Sequence, residues 1–168
     1  AIRFVYHVYC FETSVRTNFV DVDRAFLSPA ALFVWVDGRA AGAHVVKIEV
    51  PAPWEQVSTG LPAVEGEPHT FIASNFDHLV DCPFMVGNHQ VHNFEVRERV
   101  HRLAVSGDGN RAVESLIPDV SRVVDTVLDL FGHVPYQEYS FLVHFTGKGY
   151  GGLEHQNSSA LVFGRYAL

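Results

Sequence analysis

The chain has 168 residues, 48% of them hydrophobic and only 18% charged, with a formal net charge of -7. This composition supports a buried core and excludes a disordered chain. The acid excess comes without any basic patch, which argues against a nucleic-acid partner, and no apolar run is long enough to span a bilayer, which argues against a membrane partner.

The chain opens with AIRFVYHVYCF, without an initiator methionine and without a signal-peptide pattern. It starts in mid-pattern and reads as a fragment or processed product of a longer protein, so its compartment, cytoplasmic or periplasmic, is undetermined. Ile2 to Phe11 is rich in aromatic and β-branched residues and predicts a strand. Asp21-Val22-Asp23 lacks the third ligand and the glycine of a calcium loop and reads as a solvated turn. ALFVWV, Ala31 to Val36, predicts a buried strand ending in the turn pair Asp37-Gly38. VVKIEV, Val45 to Val50, alternates and stops at Pro51. HTFIA, PFMV, HNFEV and RVHRLAV continue the rhythm, punctuated by PAPWE, GLPAVEGEP, DCP and SGDGN. Many short strands with such punctuation predict an antiparallel β-sandwich or a large antiparallel sheet. Cys10 and Cys82 are too few for a disulfide framework and read as two buried free thiols, with a single bridge as the alternative.

The period changes after Gly107-Asp108-Gly109-Asn110. Val120, Val123, Val124, Val127, Leu128 and Phe131 form one apolar stripe at helical spacing. Pro118 fits the first helical turn, Asp119 complements the N-terminal dipole, and Gly132 fits the residue after the C-cap, with Pro135 beyond. The predicted helix is therefore Pro118 to Phe131. Strand-like SFLVHF, a glycine-rich loop and ALVFG follow. The fold class is mostly β with an α+β C-terminal part. Residues 1–106 read as a β-rich N-terminal domain, incomplete at its start. Residues 107–168 read as the beginning of a second, mixed domain, too small for a core of its own and leaning on the first.

Most chemical motifs are incomplete. Gly147-Lys148 lacks the upstream glycine and the following Ser or Thr of a phosphate loop, and no G-x-S-x-G elbow occurs. His89 and His92 would point to opposite faces of a strand, with His101 further on. No H-E-x-x-H is present, and Gly151 breaks the inverted zinc motif ahead of Glu154-His155, so no metal site is expected in this chain. Asn157-Ser158-Ser159 fits a glycosylation acceptor formally. The remaining stretch is GYGGLEHQNSS, Gly149 to Ser159. Two glycines precede a carboxylate and an imidazole, which suits either a polar turn between strands or a small reception site for a charged ligand.

VYCFETSVRTNFVD, together with the ordered set from the predicted helix through FGHVPY and YSFLVH to GGLEH, resembles the glycyl aminopeptidase family, the PDZ-bearing zinc metallopeptidases of the gluzincin type. The resemblance implies a β-rich N-terminal domain, then a thermolysin-like catalytic domain, then a PDZ domain. In related one-zinc aminopeptidases a Gly-x-Met-Glu-Asn strand borders the active site, and its Glu binds the substrate's free α-amine. Here Leu153 stands in place of Met and His155 in place of Asn. By this resemblance Glu154 is the amine anchor, with Gly151, Gly152, Leu153 and His155 lining the substrate site. The family's zinc ligands and general base would follow beyond Leu168. The chain itself is then expected to hold no catalytic residue, no metal ligand and no activity, with zinc bound only in the full-length parent. The implied partners are peptides with a free N-terminus, beginning with small residues such as Gly or Ala. Self-association through surface bared by truncation is also expected. The alternative is a non-catalytic β-sandwich module binding peptide or carbohydrate. Trp35 and Trp54 are its candidate surface aromatics, although Trp35 is expected in the core.

Overall fold

A computed structural model describes residues 2–109 and 112–167. The chain runs β1 (Phe19–Val20), β2 (Arg24–Leu27), a 3-10 turn (Pro29–Ala31), β3 (His44–Lys47), β4 (Gln56–Thr59) and β5 (Thr70–Ala73). It continues through α1 (Phe76–Val80), β6 (Phe84–Gly87), β7 (Gln90–Val96), β8 (Arg99–Ser106) and α2 (Val113–Phe131). It ends with β9 (Glu138–Thr146), β10 (Gly151–Glu154) and β11 (Ser158–Gly164). The fold is mostly β with one main helix, as the sequence predicts. Among the described residues no helix is long and apolar enough to cross a membrane.

The strands form three sheets. The first, ordered β1-β2-β6-β4, and the second, β3-β5, are antiparallel. The third is five-stranded, β10-β11-β9-β8-β7, and mixed: β8 pairs with β9 and β9 with β11 in parallel. Parallel neighbours need a crossover, and α2 provides it between β8 and β9. This sheet runs across position 106/107, with β7 and β8 before it and β9 to β11 after it.

The mixed sheet is covered on both faces. On one face Leu103, Val105, Val143 and Phe145 pack against Val113, Leu116 and Ile117 of α2. On the other, Ala104 and Leu142 meet Met85 of the N-terminal unit. Two-sided burial explains the unbroken apolar stretches at the centres of these strands, Leu103 to Val105 in β8 and Phe141 to Val143 in β9. The N-terminal unit has its own core, in which Phe84, Ala73 and Cys82 are fully buried.

Three local expectations are corrected. The opening segment forms no strand. It is held by a bridge from Phe11 to Phe19, by the Val20 N–H donating to Cys10 O at 2.8 Å and by the Tyr6 hydroxyl donating to Leu32 O at 2.7 Å, and Ile2 stays 99% exposed. β-propensity needs an edge to pair with, and β1 meets only the end of this segment, at Cys10 and Phe11. ALFVWV is not a buried strand either. Pro29 starts a 3-10 turn, and Trp35 lies 54% exposed, stacked on Phe76 at 5.8 Å. Trp54 is half-buried, its indole N–H donating to Val22 O at 3.2 Å.

Helix α2 begins at Val113, so Pro118 lies inside it, not at its start. Apolar contact of Val113, Leu116 and Ile117 with the sheet carries the helix upstream despite the missing proline N–H. Its end is as expected: Gly132 adopts φ 71° and its N–H donates to Leu128 O at 2.9 Å. Only part of the predicted stripe is buried. Val124 and Leu128 pack against Val96, whereas Val123 and Phe131 are exposed, as is Leu130. The loop that precedes α2 turns at Gly107, φ +80°, where a Cβ would stand 1.9 Å from Phe145 O. Its last predicted turn residue, Asn110, lies outside the described residues.

Candidate functional site

Strand β10 is an edge of the mixed sheet. One side pairs antiparallel with β11, from Gly151↔Val162 to Glu154↔Ser159. Among the described residues no strand pairs with its other side. Such an edge presents main-chain N–H and C=O groups that another extended chain can pair with.

The two faces of β10 differ. Leu153 packs with Val15, Phe26, Ala160 and Val162, and a Cβ on Gly151 would lie 3.7 Å from Val15. On the opposite face a Cβ on Gly152 would lie 3.3 Å from Leu161 Cδ2 and 3.5 Å from Glu154 Oε1. The absent side chain of Gly152 thus leaves the room beside which the Glu154 carboxylate lies. Glu154 is exposed. No hydrogen bond or ion pair engages its carboxylate among the described residues. Its charge is felt by the Tyr139 phenol, which is pushed up first by burial, then by Tyr136, Glu154 and Asp81. Tyr139 therefore stays a neutral hydroxyl, donating to Ser158 O at 2.9 Å.

His155 is engaged elsewhere. Its Nδ1 lies 3.0 Å from Asp81 Oδ1, and the Gln156 N–H donates to Asp81 Oδ2 at 2.8 Å. The turn closes with the His155 N–H on Ser158 O at 2.9 Å. The Asn157 amide donates to Gly60 O at 2.7 Å, and a Cβ on Gly60 would lie 2.5 Å from Asn157 Oδ1. Asn157 is thereby committed to a contact inside the fold, beside the fully buried Ser158. A cavity of about 1150 Å³ adjoins this turn, bordered by Asn75, Asp81, Tyr136, Glu138 and Gln156.

Three other histidines are structural. Buried His89 bonds Ser58 at 2.7 Å, and burial holds its pKa down to about 4. His144 bonds Ser106 at 2.9 Å and is likewise held down to about 4 by burial and then by Arg24. His101 is stacked on Phe94 and bonds Tyr136 at 2.9 Å. Both cysteines are free, and burial followed by Asp81 pushes the Cys82 thiol up to about 12. Among the described residues no three His, Cys, Asp or Glu side chains converge to hold a metal ion.

Gly151, Gly152, Leu153 and Glu154 thus share one free edge, while His155 pins the following turn to α1. Sequence reasoning missed Asp81, Gly60 and the tethering role of Asn157. Their contacts join positions 74 to 97 residues apart, and no local pattern marks them. What the arrangement offers is main-chain pairing for an extended peptide and, at its end, an exposed carboxylate for a cation.

Residues 1–88 match the family model for the peptidase M61 N-terminal domain. The crystal structure of an aminopeptidase N family protein from Idiomarina loihiensis superposes with a TM-score of 0.88 at 33% sequence identity. That match covers 94% of this chain and 28% of the longer one, so the chain spans little more than a quarter of that relative. No curated protein matches.

Proposed function

The chain belongs to the peptidase M61 N-terminal domain family, and from that premise we propose that it forms the substrate-binding edge of a zinc aminopeptidase of the glycyl aminopeptidase type. In this reading a peptide lies antiparallel along β10, and Glu154 pairs with its free α-ammonium. Gly151 and Gly152 let the peptide backbone approach, and Leu153 fixes the strand against the N-terminal unit. The observation that carries the proposal is the exposed, unengaged Glu154 carboxylate at the end of an open edge strand.

A charge-assisted hydrogen bond of this kind is worth about 1.5–3 kcal/mol. Binding the terminus at a fixed point also sets how far along the peptide the scissile bond lies, which is what makes an exopeptidase. Zinc would supply the activated water of such a reaction. Among the described residues of this chain no side chains converge to fit a zinc site. The metal and the general base would belong to the larger protein, and this chain alone would be inactive. The preferred N-terminal residues would be small, Gly or Ala. The division of that protein into a β-rich domain and the start of a catalytic domain belongs to the same proposal.

The test is an NMR titration of the chain with a short Gly-Ala peptide and its N-acetylated form. The free-amine peptide should bind roughly ten- to a hundredfold more tightly, and Glu154→Gln should remove the difference. Equal affinity for both peptides in the wild type would sink the assignment. The exposed Trp35, stacked on Phe76, favours a second reading as a carbohydrate-binding module. Quenching of its fluorescence by oligosaccharides, with no response to peptides, would decide for that reading.

A further inference from the structure

We propose that Asp81 is a positioning residue for Glu154, acting through the turn that follows it; this rests on the reading of Glu154 as amine anchor. The Asp81 carboxylate takes hold of the two residues next in sequence, with Oδ1 on His155 Nδ1 at 3.0 Å and Oδ2 on the Gln156 N–H at 2.8 Å. Glu154 is therefore fixed from both sides. Upstream it is held by the β10–β11 register and downstream by this bidentate grip.

The grip itself stands on firm ground. Asp81 caps the C-terminus of α1, its N–H donating to Asp77 O at 3.1 Å. The same helix is capped at its start by Asn75, whose side chain accepts from the His78 N–H at 2.7 Å. Leu79 and Cys82, on either side of Asp81, are buried in the N-terminal core. A second tether, Asn157 to Gly60 O, holds the far side of the turn. The His155 ring is 10% exposed, and its Nε2 has no partner among the described residues. Asp81 is thus the group that fixes its orientation, and the bond to Oδ1 keeps the proton on Nδ1.

Removing the carboxylate leaves the Nδ1–H of the 10%-exposed His155 ring without an acceptor and gives the exposed Gln156 N–H to water. The turn loses its hold on α1 and is free to shift. An anchor displaced by a fraction of an ångström loses the geometry on which a charge-assisted bond depends. Asn at this position can accept from one of the two donors but not from both, so it should retain part of the effect.

The test uses the whole chain and three variants, Asp81→Ala, Asp81→Asn and Glu154→Gln. Affinity for the free-amine and N-acetylated Gly-Ala peptides is measured together with the imidazole ¹⁵N spectrum of His155. Asp81→Ala should weaken the free-amine peptide by about tenfold and leave the acetylated peptide unmoved. It should also abolish the Nδ1-protonated signature of His155. Asp81→Asn should fall between the wild type and Asp81→Ala, and it carries the test if the alanine variant does not fold. Unchanged free-amine affinity in the Asp81 variants, with Glu154→Gln defective, overturns the positioning role and leaves the anchor standing. Equal weakening of both peptides also overturns it, because that is loss of structure alone. If Glu154→Gln binds as the wild type does, the anchor reading falls and the positioning role falls with it.

Discussion

Residues 2–10 are two-thirds aromatic and β-branched and form no strand, whereas Gly151–Glu154, half of it glycine, does form one. The first segment meets the rest of the chain at the Tyr6 hydroxyl bond, at Cys10 O, which accepts the Val20 N–H, and at the bridge at Phe11, and Tyr9 remains 80% exposed. The second lies against β11, which is already aligned by parallel pairing with β9 and backed by fully buried Ala160. Intrinsic preference spans about 1 kcal/mol at a strand position, so a prepared neighbour outweighs it. Here the pairing partner, not the composition, decides where the sheet ends and where it leaves an open edge.

The strongest test of this contrast is to damage the neighbour. Ala160→Asp buries an unpaired carboxylate between the β10–β11 hairpin and the N-terminal unit and should cost about 4 kcal/mol or more. Urea unfolding reads the loss directly. A shift of the same size from a substitution in the opening segment would break the comparison.

Acid should come next. Buried His144 of β9 and His89 beside β7 are neutral in the fold, with pKa values near 4 against an ordinary 6.5. The unfolded chain therefore takes up their protons first. Stability should be full above pH 6.5 and fall as pH drops toward 4, by at most about 3 kcal/mol for each histidine. Calorimetry at pH 7, 5.5 and 4.5 measures the slope, and His144→Gln should flatten it. An unaltered slope in that variant would place the acid sensitivity outside the mixed sheet.

The smallest effect is expected in the opening segment. Phe4→Ser and Tyr9→Ser remove exposed side chains and should change stability by no more than about 0.5 kcal/mol. Both should reduce any self-association, read by analytical ultracentrifugation. A loss of more than 1 kcal/mol in urea unfolding would mean that the segment is held more firmly than its contacts indicate.

Much of the frame was legible in the residues. Turn formers marked most strand ends, and Gly132 marked the end of α2 because the left-handed conformation there suits glycine. The start of α2 was not legible. Pro118 resembles a first-turn proline, and only the packing of Val113, Leu116 and Ile117 against a distant sheet shows that the helix is already under way. The surface position of Trp35 was hidden for a related reason, since an apolar run does not declare whether anything will cover it. At the candidate site the edge-strand residues could be read from GGLEH, but Asp81 could not. A carboxylate in a DCP turn carries no sign that it will take hold of an imidazole 74 residues later.

That separation has a consequence for how the protein is made. The grip of Asp81 on Gln156 and of Gly60 on Asn157 spans 75 and 97 residues. During synthesis the N-terminal unit can collapse around its own core while the turn that completes it has not yet been translated. The Asp81 carboxylate and the Gly60 carbonyl must wait, hydrated, until residues 155–157 emerge, and such long loop closures are slow. The open edge is therefore among the last features to take shape, and a ribosome paused before Gln156 would carry a folded core without it.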